Sequence, residues 1–571
     1  MTSCHPDHWK VLLSGIVGLF ALATPVPLMG TPLDDYVAAP DPNYRYTLRR
    51  TITDTDYKAY VLELTSQKWR TLAEVDRNLW KHWLIVVKPN TVVSDTAMLI
   101  IDGGNNGGTV PRTVDEELVG IAVATETVVA QVKMVPNQPL RFADETSSRV
   151  EDALIAYTWD KFLRTGDVTW PAQLPMTKSV VRAMDAVQAF CAGLAVNPVT
   201  INHFVVGGAS KRGWTTWLTA AVDPRVVAIA PLVIDVLNVE KSFEHHFNSY
   251  GFWTPAVHDY VEMGIMDWMG TPELHALMAI VDPYVYRDRF TMPKFIVNAT
   301  GDQFFHPESS QFYWDDLPGP KYLRYVPNTD HSMTGMEVDV AGSLLMYYLA
   351  LLNGTPLPQF SWTLEPDGSI RVQTVDPPVA VRLWQATNPT ARDFRLETIG
   401  AAWTNRFLLD KGGGLYIGRV TQPDQGWTAF FVELEFDSGS LFPHKFTTQV
   451  RVIPEPARLN LTVVNSSWGT VQVEPNLPKY YDPNTTVTLT AMPIEGKVFR
   501  YWELYDPNHP DDDNYVVIDA NNPLRIVMND NREVTAAFAC GNSALTVLVT
   551  PVLLGMILMW GFSRLHRAAS R

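Results

Sequence analysis

Three residues of this chain have the types and the chain order that nucleophilic catalysis needs. Ser210 lies in Phe204-Val205-Val206-Gly207-Gly208-Ala209-Ser210-Lys211-Arg212-Gly213-Trp214, where an apolar strand gives way to small residues, a hydroxyl and a helix start. A serine on such a tight strand-to-helix turn presents its oxygen outward, and the helix N-terminus favours developing negative charge. Asp302 ends the run Ile296-Val297-Asn298-Ala299-Thr300-Gly301-Asp302, and His331 ends Tyr322-Leu323-Arg324-Tyr325-Val326-Pro327-Asn328-Thr329-Asp330-His331. In such a set the imidazole takes the serine proton, and the carboxylate fixes its tautomer and stabilises its charged form. The chemistry is acyl transfer. Taken alone, the serine stretch fits a helix cap equally well, because Arg212 rather than glycine holds the second position after Ser210. Asp235 and Asp330 are the rival carboxylates, and Asp330 is badly placed to orient the histidine beside it.

An acyl-transfer site also needs two backbone donors for the oxyanion. Lys211, directly after the serine, offers one, and the glycine-rich loop Ile101–Gly108 offers a second at Gly104 or Asn105. No Gly-Lys-Ser/Thr follows that loop, which argues against phosphate binding. Trp214, Trp217 and Trp253 are the aromatic candidates for a substrate pocket. Metal readings are weaker. His245 and His246 are adjacent and diverge on a helix, and His258 with Glu262 makes a single i,i+4 pair. No cofactor or metal is expected, and Asp511-Asp512-Asp513-Asn514 lacks the spacing of a calcium loop.

These residues need strands to hold them. From 32 to 356 short apolar runs alternate with helical stretches, the pattern of a mostly parallel sheet wrapped by helices. Strands are predicted at 84–87, 97–101, 122–125, 204–206, 226–229, 294–298 and 322–326, and a helix at 176–192. Ser, Asp and His in that order, each after a strand, is the order of α/β-hydrolases, so the expected class is α/β with that fold. Residues 238–290, rich in aromatics, His and Met, read as a helical lid insertion. Strand-and-turn patterns then predict a β-sandwich at 357–456 and a further all-β unit at 457–540.

The stretches Leu33-Asp34-Asp35-Tyr36-Val37, Gly208–Trp214, Asn298–Phe305 and Leu383–Arg395 closely resemble the PhoPQ-activated pathogenicity-related family. That resemblance implies an exported α/β-hydrolase-like domain followed by a β domain, and it implies no particular substrate. The unit at 457–540 resembles a divergent internalin-B-type repeat, which implies a spacer or adhesion module. Ser210, a basic residue, one more residue and Gly213 are also similar to glucuronoyl esterases.

The chain ends concern location. Lys10, the apolar run Val11–Ala23 and Ala21-Leu22-Ala23 read as a signal peptide over 1–23. The uncharged run 544–562 is long enough to span a bilayer, and the basic tail 563–571 sets its inner side. The sequence therefore predicts a single-pass surface protein with an extracytoplasmic ester, peptide or glycan-ester as substrate. A net charge of −16 with no basic face argues against nucleic acid as a partner.

Overall fold

The computed structural model describes residues 30–454, 459–464, 466–474, 480–481, 485–505, 515–528 and 532–540. The expected signal peptide, membrane span and basic tail, and the acidic run at 511–514, lie outside these residues. Among the described residues no helix is long and apolar enough to cross a membrane.

Nine strands form one sheet: β1 (Arg45–Thr53), β2 (Tyr57–Lys68), β3 (Leu79–Pro89), β4 (Thr96–Ile101), β5 (Val129–Val132), β6 (His203–Ala209), β7 (Val226–Leu232), β8 (Lys294–Ala299) and β9 (Lys321–Val326). Their order is β1-β2-β3-β5-β4-β6-β7-β8-β9. The first three pair antiparallel, and every pair from β5 to β9 is parallel. Parallel strands need crossovers, and the helices α1 (Pro32–Ala38), α2 (Glu116–Thr125), α3 (Glu151–Thr165), α4 (Gln173–Ala192) and α5 (Lys211–Val222) supply them or pad the sheet. Alternation along β6 sorts the two faces. Phe204 and Val206 join the core that also holds Trp217 and Val180, and Val205 joins the opposite one with Tyr347.

Between β7 and β8 the chain is helical, with α6 (Val239–Tyr250), α7 (His258–Glu262) and α8 (Pro272–Val281) joined by short 3-10 turns. A ninth helix, α9 (Glu337–Asn353), follows β9. One expected strand is corrected. Residues 122–125 end helix α2, because Leu118, Ala122 and Thr125 bury one face at helical spacing behind Glu116 and Glu117. The strand of that region is β5, and β1 and β2 went unread.

The chain then turns all-β. Strands between Phe360 and Ile453 form one sheet of three and one of five. Their inner residues Ile370, Val372, Phe430 and Phe446 share a single core with Val205, Ala228 and Phe295 of the α/β sheet and Tyr347 of α9. The strands from Leu459 to Cys540 form two further sheets around a core of their own, centred on Val487, Leu489, Trp502 and Val534.

Candidate functional site

Ser210 stands between β6 and α5 with φ 56° and ψ −126°, a left-handed backbone that a non-glycine residue adopts only under constraint. The constraint is visible. Ser210 N–H donates to Leu232 O at 2.8 Å, and Ser210 O accepts from Trp214 N–H at 3.0 Å. The glycines that permit the turn lie at 208 and 213. A Cβ on Gly208 would sit 2.9 Å from the Cβ and backbone of Arg212, and one on Gly213 would sit 2.7 Å from Ile234 and 2.9 Å from Gly208 O. Gly208 therefore makes the room that Arg212 uses, which is why a large residue is accommodated at the second position after the serine.

His331 follows β9, and its ring lies between the serine and the acid. Its Nε2 is 2.8 Å from Ser210 Oγ, and its Nδ1 is 2.7 Å from Asp302 Oδ2. An ionised carboxylate only accepts, so Nδ1 carries the hydrogen and Nε2 offers its lone pair to the serine hydroxyl. Asp302 is buried, and its Oδ1 accepts from Phe304 N–H at 2.8 Å. Gln303 Oε1 accepts from His331 N–H at 3.1 Å, and the Phe304 ring lies 4.5 Å from the imidazole. Ser210 and His331 are partly exposed, so the relay faces solvent.

The rival acids lie elsewhere. Asp330 accepts from Ser332 N–H at 2.9 Å and caps its own turn. Asp235 is buried, with Tyr313 and Tyr325 hydroxyls at 2.6 and 2.5 Å from its two oxygens. Burial raises its pKa to about 7 despite those two hydrogen bonds.

Lys211 is the first residue of α5, so its N–H belongs to the helix-start donors that lack intrahelical partners. Its ammonium turns inward to Asp152 Oδ2 at 2.6 Å, and Asp152 Oδ1 accepts from Tyr260 O–H of α7 at 3.0 Å. Gly104 and Asn105 follow β4, which pairs directly with β6. Arg212 packs closely against the loop, its Nη2 2.7 Å from where a Cβ of Gly103 would be. Arg212 makes a two-point pair with Glu151 at 2.6 and 2.7 Å and donates to Val135 O at 2.6 Å. Burial opposes charge on Glu151, but Arg212 and Lys211 prevail and hold its pKa at about 2. A cavity of about 330 Å³ opens beside Gly103, Gly104 and Asn105, walled by Trp83 and Met134.

Two of the three tryptophans belong to the core instead of a pocket wall. Trp217 is fully buried against Phe290, and Trp214 is buried beside Trp159 with its indole N–H on Val281 O at 2.6 Å. Their rings pack against neighbouring segments, Trp214 on Trp159 of α3 and the end of α8, and Trp217 on Phe290 ahead of β8. Trp253 is half-buried and stacks on His246.

Sequence reasoning missed the support behind the relay. An excursion of the β unit, residues 389–403, reaches back to the acid and histidine loops. Leu396 N–H donates to Gly301 O at 3.0 Å, and a Cβ on Gly301 would sit 2.7 Å from that nitrogen. Asn328 exchanges two amide hydrogen bonds with the Trp403 backbone, both 2.9 Å. The available signal was the polar run Asn388–Arg395, an odd stretch inside a β unit.

Residues 33–395 match the model of the PhoPQ-activated pathogenicity-related protein family. This chain belongs to that family. Residues 459–542 match the divergent InlB B-repeat domain. The autocrine proliferation repressor protein A of Dictyostelium discoideum is 38% identical over 469 residues, covering 77% of this chain and 94% of that protein. Acetyl xylan esterase 1 from Thermoanaerobacterium is a similar solved structure at 15% identity and a TM-score of 0.38, covering 56% of this chain and 91% of the esterase. The acylaminoacyl peptidase of Pyrococcus horikoshii is similar at 10% identity and a TM-score of 0.33, covering 54% and 50%. Likeness at that level carries no argument about chemistry. The excursion of the β unit overlaps the family match, which runs through Arg395.

Proposed function

We propose that this chain is an exported serine hydrolase of the α/β-hydrolase fold, anchored to the membrane through 544–562, that cleaves an ester or amide outside the cytoplasm. The observation that carries the reading is the unbroken contact from Ser210 Oγ through His331 to Asp302, 2.8 and 2.7 Å, at a solvent-facing strained turn. Ser210 Oγ attacks the acyl carbon while His331 Nε2 takes its proton, and the oxyanion forms near the Lys211 N–H. His331 then protonates the leaving group, and water deacylates the serine by the reverse path. Lys211 and Gly104 or Asn105 are the assigned oxyanion donors. Carboxylic esters, peptides and glycan esters fit this chemistry.

A second reading has its own support, since the Dictyostelium relative is named for repression of proliferation, not for an enzyme activity. One measurement separates them. The wild-type protein is incubated with a fluorophosphonate probe beside Ser210→Ala and His331→Ala. Labelling that Ser210→Ala abolishes and His331→Ala lowers by about 10³-fold or more supports the hydrolase. A folded wild type that stays unlabelled sinks it in favour of a non-catalytic signalling protein.

A further inference from the structure

His245 and His246 diverge from helix α6, as adjacent helical residues must. His246 Nδ1 lies 3.1 Å from Phe304 O and its Nε2 accepts from Thr254 N–H at 3.2 Å. His245 turns the other way and meets two residues far off in sequence. Its Nε2 is 3.3 Å from His306 Nδ1 and 3.7 Å from Glu308 Oε2, and His306 Nδ1 is 3.6 Å from that same oxygen. Three ligand-type atoms thus converge on one point in the protein interior.

The spacing separates zinc from magnesium, and the donor types separate it from calcium. Tetrahedral zinc, with bonds of about 2.0–2.2 Å, sets its ligand atoms about 3.3–3.6 Å apart. Octahedral magnesium, with bonds of about 2.0–2.1 Å, sets them about 3.0 Å apart and prefers oxygen throughout. Two imidazole nitrogens with one carboxylate oxygen form a donor set that zinc takes and that magnesium and calcium do not favour.

Outer contacts orient the donors. His306 Nε2 lies 3.3 Å from Arg392 O, so its N–H points there and the Nδ1 lone pair faces the cluster, where the Glu308 backbone N–H, 3.4 Å away, also reaches it and must give way to an ion. Glu308 Oε1 accepts from Val452 N–H at 3.1 Å, which leaves Oε2 toward the histidines. Ser249 Oγ, 3.4 Å from His245 Nε2, stands beside the remaining position. Arg392 opposes binding, because its guanidinium also contacts Glu308 Oε2. A carboxylate oxygen has two lone pairs, so both cations fit, with their mutual repulsion lowering affinity.

We propose that His245, His306 and Glu308 bind one divalent ion of the zinc class, pinning helix α6 to the loop that follows Asp302. The site does not depend on Ser210, so its test is independent of the hydrolase reading. The full chain, stripped with a chelator, is titrated with Zn²⁺ and with Co²⁺ by equilibrium dialysis and visible absorption. The expected result is one ion per chain, the strong absorption of four-coordinate cobalt, and unchanged uptake in Ser210→Ala. His245→Ala and His306→Gln should lose the ion. His258→Ala, in the exposed cluster with Asp259 and Glu262, should keep it. Arg392→Met, which removes a competing cation, should bind about tenfold more tightly. No uptake by folded wild type would overturn the site, and so would undiminished uptake by a folded His306→Gln. Should the histidine variants fail to fold, the wild-type stoichiometry and cobalt spectrum decide alone.

Discussion

The two β units of this chain are built from the same secondary structure and stand in opposite relation to the site. The first, Phe360 to Ile453, has no core separate from the α/β sheet. Its Phe430 and Phe446 pack in one cluster with Phe295 and Tyr347, and its Thr447 Oγ1 accepts from Tyr325 N–H at 3.0 Å. Its excursion also braces the loops of Asp302 and His331. The second, Leu459 to Cys540, buries its own Val487, Leu489, Trp502, Leu524 and Val534 against one another. The first unit shares a core with the sheet and braces the loops of Asp302 and His331, whereas the second packs around a core of its own.

Two truncations break that comparison most sharply. Ending the chain after 356 exposes the Phe295 and Tyr347 face, and the expected product neither folds nor takes the serine probe. Ending it after 454 should leave labelling within about twofold of wild type, since the contacts of Ser210, His331 and Asp302 among the described residues all lie before 455. A short chain that labels normally without the first β unit would erase the distinction. Trp502→Ala tests the private core at residue level. Its fully buried indole, whose N–H donates to Asn521 O at 2.9 Å, should cost the terminal unit about 3–5 kcal/mol. Two separate melting transitions should appear, with probe labelling untouched. A fall in labelling would mean that the units are coupled after all.

Gly301→Ala sharpens the comparison from the other side. The new methyl meets the Leu396 nitrogen and Thr329 O, 2.7 and 2.9 Å away, so the acid loop or the excursion must move. Overpacking of this kind costs about 1–3 kcal/mol. The larger expected effect is kinetic, because displacing Asp302 misaligns His331, and labelling should slow about 10- to 100-fold. Labelling at the wild-type rate in a destabilised Gly301→Ala would show that the excursion supports only the fold.

Much of this was legible in the sequence, for identifiable reasons. Ser210, Asp302 and His331, which the structure brings into contact, stand out in the sequence because each follows a parallel strand whose apolar run marks the spot. A short apolar run such as 122–125 has no decisive period and reads as a strand, and only the buried Leu118, Ala122 and Thr125 reveal the helix. Trp214 and Trp217 read as pocket candidates because helical aromatics look alike on either face. The polar run Asn388–Arg395 marks the brace as irregular, but its partners, like those of the His245 cluster, are not legible, for one shared reason. Both join residues such as His245 and His306, 61 positions apart, and sequence spacing carries no signal for such contacts.

Asn328 gives the smallest of these tests and the most selective. It occupies the left-handed region at φ 58°, which asparagine tolerates, and its amide fits the Trp403 backbone on both sides. Asn328→Ala removes both hydrogen bonds and adds backbone strain, whereas Asn328→Gly removes the bonds and keeps the turn. Both leave buried polar groups of the excursion unpaired, at about 1–3 kcal/mol. If the brace acts on the relay, the two variants should slow labelling by a similar few-fold factor, although alanine lowers the melting temperature further. If alanine alone slows labelling, the turn positions His331 by itself, and the first β unit supports the histidine only through the shared core.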